Sequence, residues 1–459
     1  MNPLSADIAT WVSRLTFEDL PADVVESTRL RVLDVVGLAL AGSGTRFGGA
    51  VRESMARMHP AGPCHVLGTG EPLPIPAASL VNAALAQALE YDDTHIESIV
   101  HMSSPSVAAA LALAETHHVD GRAAITAIAL SNEIACRVGC VASGEFHKRG
   151  FHPTGLFAPF GVTFLAGKLL GLNAGQMEAA AGITGSFAAG LLECWVDGTE
   201  SKFLHSGWAA QSGISAAFMA GAGATGPPRI LEGRFGLFAA HLQGDVGKDF
   251  MRVNQGLGSD WESRRSSFKP FPAAHVLHPY ISALLRLRDT HRLDWRRVAE
   301  IACPVPEYIV PIVCEPVAEK RAPQTGAHGR VCLQYTLAEA LYTGAMGRTA
   351  YQDQTVRNTD ILGLARRVRY YVDPDYPGPG RFKGAVEVTL DDGATLEEVE
   401  EHTRGSMDNP MSEQELRQKF DDNTSVVLSP AARGRLAEAI LKLDTATDAS
   451  ALVALSMAH

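Results

Sequence analysis

The chain has 459 residues, of which 46% are hydrophobic and 20% charged, and a formal net charge of −11. That length exceeds what one hydrophobic core supports, so two domains are expected, one of them free to be discontinuous, in a folded rather than disordered chain. The acidic balance argues against nucleic acid or an anionic membrane as the main partner, but leaves a small anion open, because local cations set the field of a pocket.

From the N-terminus, "SADIATWVSRL" (5–15), "PADVVESTRLRVLDVVGLALAG" (21–42) and "AASLVNAALAQALE" (77–90) place apolar residues at three-and-four spacing and break at Gly, Pro or Ser, the pattern of helices. The start lacks a basic segment followed by an apolar run, so no signal peptide is expected, and no stretch has the uninterrupted apolar length of a membrane span. Next comes "ALEYDDTHIESIVHMSSPS" (88–106), which sets Glu90, Asp92, Asp93, His95 and His101 between helices made mostly of Ala, Leu and Val. Helical periodicity resumes at 106–118, 122–140, 157–172, 174–195 and 207–223, in segments so rich in Ala and Gly that several sides must be buried.

Near "SSFKPFPAAHVLHPY" (266–280) the texture changes. Alternating β-branched runs follow, "TLDDGATLEE" has the form of a hairpin turn, and "GRVCLQYTLAEALYTG" that of a helix. Residues 1–265 are therefore expected to form a helical domain, 266–400 a smaller α+β domain, and 401–459 amphipathic helices that return to the first. The seven cysteines are scattered, as suits reduced thiols in a cytoplasm.

Several familiar motifs fail on context. "GAGATG" (221–226) follows an Ala-rich helix and precedes two prolines, so it is not a dinucleotide site. Cys136 and Cys140 have no third cysteine nearby for an iron–sulfur cluster, and His275 with His278 lacks a third ligand, so no metal is expected. Four polar stretches remain: the 88–106 segment, "GFHPTG" with His152, "VDGTESKFLHSGWAAQSG" with Lys202 and His205, and 266–280 with Lys269, His275 and His278. Each alone reads as a cap, a loop or a core histidine. Together they put lysines, histidines and carboxylates against nearly charge-free helices, where a buried lysine is costly unless an anion pairs with it.

These stretches, with "LEYDDTH", "FHPTG", "SKFLHSGWAAQSGISAAFMA", "ILEGRFGLF" and "FKPFPAAHVLHPY" in order, resemble the MmgE/PrpD family, over nearly the whole chain. The family includes 2-methylcitrate dehydratase, cis-aconitate decarboxylase and iminodisuccinate epimerase. The resemblance implies a mainly α fold, a large helical domain plus a smaller α+β lid domain, in a cytoplasmic homodimer that uses no cofactor and acts on a small di- or tricarboxylate. It implies a pocket at Thr94, His101, His152, Lys202, Lys269 and Tyr335. His101 and His152 are then the acid/base candidates. Lys202 and Lys269 are carboxylate clamps, with Lys269 also a candidate base. Asp93 orients a histidine or the substrate, and Glu90, Thr94, His275 and Tyr335 contact the substrate. Two positions depart from the decarboxylase branch: Glu90 stands where an aspartate is usual, and "HMSSPS" puts one residue more between Thr94 and His101. A lyase, either dehydratase or decarboxylase, is the leading expectation, an epimerase the next, and a non-catalytic helical scaffold the remaining alternative.

Overall fold

The computed structural model describes residues 2–378 and 380–457. The chain is mainly α, with a large helical body and a smaller α+β body. In the first body, helices α1 (Ala22–Ser43), α2 (Ile75–Gln87), α3 (Ser103–His117), α4 (Gly121–Gly139), α5 (Pro153–Leu169) and α6 (Leu204–Gly221) pack around one apolar core. Long stretches of α2, α3 and α5 are buried on every side, which explains why they show little amphipathic pattern.

Small residues allow these helices to approach closely. A Cβ at Gly161 of α5 would lie 2.3 Å from the Ser131 carbonyl oxygen of α4, and one at Gly213 of α6 would lie 2.8 Å from that of Pro159. The 121–142 segment is long and apolar enough to cross a membrane, but its apolar window is wholly buried in this core. α4 opens with the Asp120 side chain accepting a hydrogen bond from the Ala123 N–H, a standard N-cap.

The second body has its own apolar core, drawn from residues between Ala273 and Val388. Strand β1 (Val298–Val305) is parallel to β2 (Val368–Val372) and antiparallel to β3 (Gly384–Leu390), and β3 and β4 (Thr395–Glu400) form the hairpin read from "TLDDGATLEE", so the sheet order is β2–β1–β3–β4. Gly393, at φ +85°, supplies the left-handed residue of its turn. Helices α7 (His278–His291) and α8 (Leu333–Thr343) cover the sheet. The chain then returns to the helical body through α9 (Glu413–Thr424) and α10 (Pro430–Leu441), which pack on α1. α9 starts with a reciprocal capping box between Ser412 and Glu415. All seven cysteines are buried free thiols.

Candidate active site

The segment that leaves α2 is held through three consecutive carbonyls, each by a buried cation from a distant part of the chain. Arg330 Nη1 donates to Leu89 O at 2.5 Å, Lys269 Nζ to Glu90 O at 3.1 Å, and Lys419 Nζ to Tyr91 O at 2.9 Å. Lys419 also pairs with Asp34 of α1 at 2.7 Å. Glu90 itself takes a left-handed backbone (φ +53°), an uncommon conformation for a non-glycine residue that this clamping sustains. Beyond it, Thr94–His95 pairs as a two-residue strand with Ser266–Ser267, which brings the 88–106 segment against the start of the α+β body.

Both lysines converge on one carboxylate. Lys202 Nζ forms an ion pair with Glu90 Oε1, and Lys269 Nζ lies 3.3 Å from the same oxygen. All three residues are buried. Burial opposes charge on Glu90, but Lys202 and Lys269 outweigh it and hold the carboxyl below its usual range. Burial lowers Lys269, and Glu90 works against that shift. Glu90 is the counter-ion that makes these two buried ammonium groups tolerable.

Asp92 and Asp93 point to different partners. Asp93 pairs with Arg31 of α1 and accepts from Ser103 Oγ at 2.6 Å and Ser103 N at 3.3 Å, so its side chain anchors the N-terminus of α3. The carboxylate that meets His101 is Asp92, with Oδ1 3.3 Å from His101 Nδ1. The same nitrogen lies 3.2 Å from Thr94 Oγ1 and 3.0 Å from Asp93 O, and the His101 backbone N–H donates to Thr154 Oγ1 at 2.9 Å. The orienting carboxylate expected at Asp93 is thus met by its neighbour, and only the backbone carbonyl of Asp93 reaches His101.

His152 precedes α5, with Pro153 as the first helical residue, and its backbone N–H donates to Gly190 O at 3.0 Å. Its ring lies 5.6 Å from that of His101, centroid to centroid. Burial, then the charge of Lys202, pushes the His152 imidazole well below its usual range, so it is neutral at physiological pH. Its Nε2 is buried and has no hydrogen-bond partner among the described residues. A neutral, oriented imidazole with a free nitrogen is suited to proton transfer.

His275 joins the group through Ser267: its Nε2 lies 3.2 Å from Ser267 Oγ, and Ser267 is the cross-strand neighbour of Thr94. Tyr335 stands apart. It is fully buried in the α+β core, its ring 6.2 Å from that of Tyr351, and burial first, then the carboxylate of Glu339, push its phenol up. The structure therefore brings Glu90, Thr94, His101, His152, Lys202, Lys269 and His275 together and leaves Tyr335 in the core of its own body. Thr154, Arg31, Arg330 and Lys419 are the members that motif reading passed over, and Asp92 is one that it named without a role. Arg31 and Asp34 had left a signal, as charges inside the apolar run "LRVLDVVGLAL".

A cavity of about 1030 Å³ lies between the two bodies, lined in part by Arg46, Leu89, Phe203, Arg330, Arg348 and Arg357. Leu89 and Phe203 are the chain neighbours of Glu90 and Lys202, so this cavity adjoins the buried pair. Among the described residues one group has the spacing of metal ligands: His95, Cys140 and Glu262, with donor atoms within 4.8 Å of one another. It fits a divalent cation poorly. Arg252 (3.2 Å) and Arg265 (2.7 Å) already engage the two oxygens of Glu262, and burial pushes the Cys140 thiol far up.

The arrangement can be compared with known proteins. The MmgE/PrpD N-terminal domain matches residues 6–248 and the MmgE/PrpD C-terminal domain residues 271–445. The chain belongs to the MmgE/PrpD family. Among curated members, the cis-aconitate decarboxylase-like protein oryM of Aspergillus oryzae is 26% identical, covering 98% of this chain and 97% of its own. Human cis-aconitate decarboxylase is 25% identical over 99% and 95% of the two chains. The 2-methylcitrate dehydratase of Cupriavidus necator is 24% identical over 71% and 69%.

Proposed function

We propose that this MmgE/PrpD protein is a lyase that acts on a small tricarboxylate by proton transfer next to a carboxylate, without a metal. The observation that carries the reading is the pair of buried lysines, Lys202 and Lys269, on one carboxylate oxygen beside two histidines. A substrate carboxylate that competes with Glu90 would receive both cations. Their charge makes the build-up of negative charge on the adjacent carbon less costly. His152, neutral and with Nε2 unpartnered, is the group to take or give the proton, and His101, oriented by Asp92 and Thr94, is the second. In a dehydration the C–H bond breaks to one histidine and the C–O bond breaks as a proton reaches the departing hydroxyl. In a decarboxylation the C–C bond breaks, CO₂ leaves, and a histidine protonates the carbon.

The relatives named above support both outcomes, being decarboxylases and a dehydratase. The cavity beside Leu89 and Phe203 supports an access route between the bodies, and the four arginines of its lining outnumber Asp197, Glu200 and Asp353 there. Exposed apolar side chains on α6, Trp208, Phe218 and Met219, support a homodimer, and buried free thiols suit the cytoplasm.

Incubation with cis-aconitate and with 2-methylcitrate in D₂O, followed by proton NMR, tests the reading. A decarboxylase yields the new vinylic protons of a terminal alkene from cis-aconitate, whereas a dehydratase turns the methyl doublet of 2-methylcitrate into an allylic singlet, because the alkene it forms carries no vinylic proton. Exchange of an α-proton with inversion and no vinylic product, on iminodisuccinate, would replace the lyase by an epimerase.

A further inference from the structure

We infer that His205 is a positioning residue that relays protons between water and His152, a role that rests on the lyase reading above. His152 is 1% exposed, and its route to solvent is not through its own surface. Its Nδ1 lies 2.9 Å from Nδ1 of His205, a contact that holds only if one ring donates a proton and the other accepts it. His205, the second residue of α6, is partly exposed. The two rings thus form a two-membered chain with its free end, His152 Nε2, buried at the site and the remainder of His205 toward the surface.

Gly190 fixes both members. Its carbonyl accepts the His152 backbone N–H at 3.0 Å. Its Cα, at φ +149°, backs onto the His205 ring, where a Cβ would lie 3.3 Å from Cγ and Nδ1. The charged and titratable groups that act on His152 are Lys202, His205, His101 and His147, while Lys202 acts on His205. Burial first and Lys202 second push His205 down to about 4, so both rings are neutral at physiological pH.

Neutral rings can pass a proton without leaving a charge in the core. Take the state with His205 Nδ1–H donating to His152 Nδ1 and a proton on His152 Nε2. His152 Nε2–H breaks as the substrate takes the proton. His152 Nδ1 gains the proton of His205 Nδ1, and His205 Nε2 gains one from water. Run backwards, a proton taken from substrate at His152 Nε2 emerges to water at His205 Nε2. A dehydration uses the chain once in each direction and returns both rings to their starting state.

The tests are His205→Ala and His205→Asn. The asparagine amide can still bond to His152 Nδ1 but cannot carry a proton through two nitrogens. Both variants should lose kcat by about tenfold or more, with KM unchanged, and added imidazole should restore part of the activity of His205→Ala. Exchange of the His152 ring proton with water needs no turnover. Read by ¹⁵N-edited NMR on histidine-labelled protein, assigned with His152→Gln, it should slow in His205→Asn. Equal exchange and a wild-type kcat in His205→Asn would overturn the relay. Slowed exchange in a protein that turns over no tricarboxylate would leave the relay in place and overturn the lyase reading.

Discussion

Lys202 and Glu90 form an ion pair in which each side chain is 5% exposed, and Lys269 reaches the same glutamate oxygen from the other side. The two lysines therefore share one resident carboxylate, with which a substrate carboxylate competes under the proposed lyase reading. Glu90→Gln should leave two buried cations without a counter-ion and destabilise the protein by about 3 kcal/mol. Its melting temperature should then rise steeply with added tricarboxylate, more than in the wild type, because the ligand restores the missing charge. Thermal shift against ligand concentration checks this; equal ligand dependence in the two proteins would refute it.

Lys202→Met and Lys269→Met each leave Glu90 one cation. Affinity for a tricarboxylate should fall about tenfold to a hundredfold in both, as a charge-assisted contact is lost. A larger loss confined to kcat would mark the lysine as a base. Normal binding and turnover with early melting would make both lysines structural.

Asp92 and Asp93 should separate cleanly. Asp92→Asn removes the carboxylate opposite His101 and should lower kcat, at a smaller cost in stability than Asp93→Asn, because the amide oxygen can still accept from Ser104 Oγ. Asp93→Asn leaves Arg31 buried without its partner and should cost about 3 kcal/mol of stability. Urea denaturation and steady-state kinetics on both variants read the difference.

Stability should fall as pH is lowered from about 6.5. Burial pushes His147 and His205 down to about 4, and His152, His275 and His278 well below their usual range. Below pH 6.5 the unfolded chain thus binds protons that the folded chain refuses, and the loss for His147 and His205 continues to about pH 4. Glu90 and Asp92, held low by their cations, contribute stability above the ordinary carboxylate range that is lost below it, in the same direction. Urea midpoints across this range should fall steadily, and His205→Asn should flatten the slope by up to one proton.

Activity should survive exhaustive EDTA treatment, since the arginines on Glu262 leave the His95–Cys140–Glu262 group poorly suited to a cation. Loss on chelation with recovery on adding one metal would overturn this.

The sequence by itself determined the mainly α fold, through Ala- and Gly-rich helical periodicity, the β3–β4 hairpin, through its Asp-Asp-Gly turn, and the family, through the order of its polar motifs. It also marked the residues around Glu90, His101, His152, Lys202 and Lys269 as the candidate site. It could not choose between Asp92 and Asp93, because adjacent residues of an irregular segment face different ways and both are carboxylates. Nor could it show that both lysines meet Glu90, or that His205 lies against His152. Those depend on how the elements pack. The carbonyls of Leu89, Glu90 and Tyr91 are held by cations 241, 179 and 328 residues away, and contacts of that range leave no local pattern. Tyr335 shows the converse: a motif assigned it to the site, but its burial in the α+β core, decided by packing, set it beside Glu339 and Tyr351 instead.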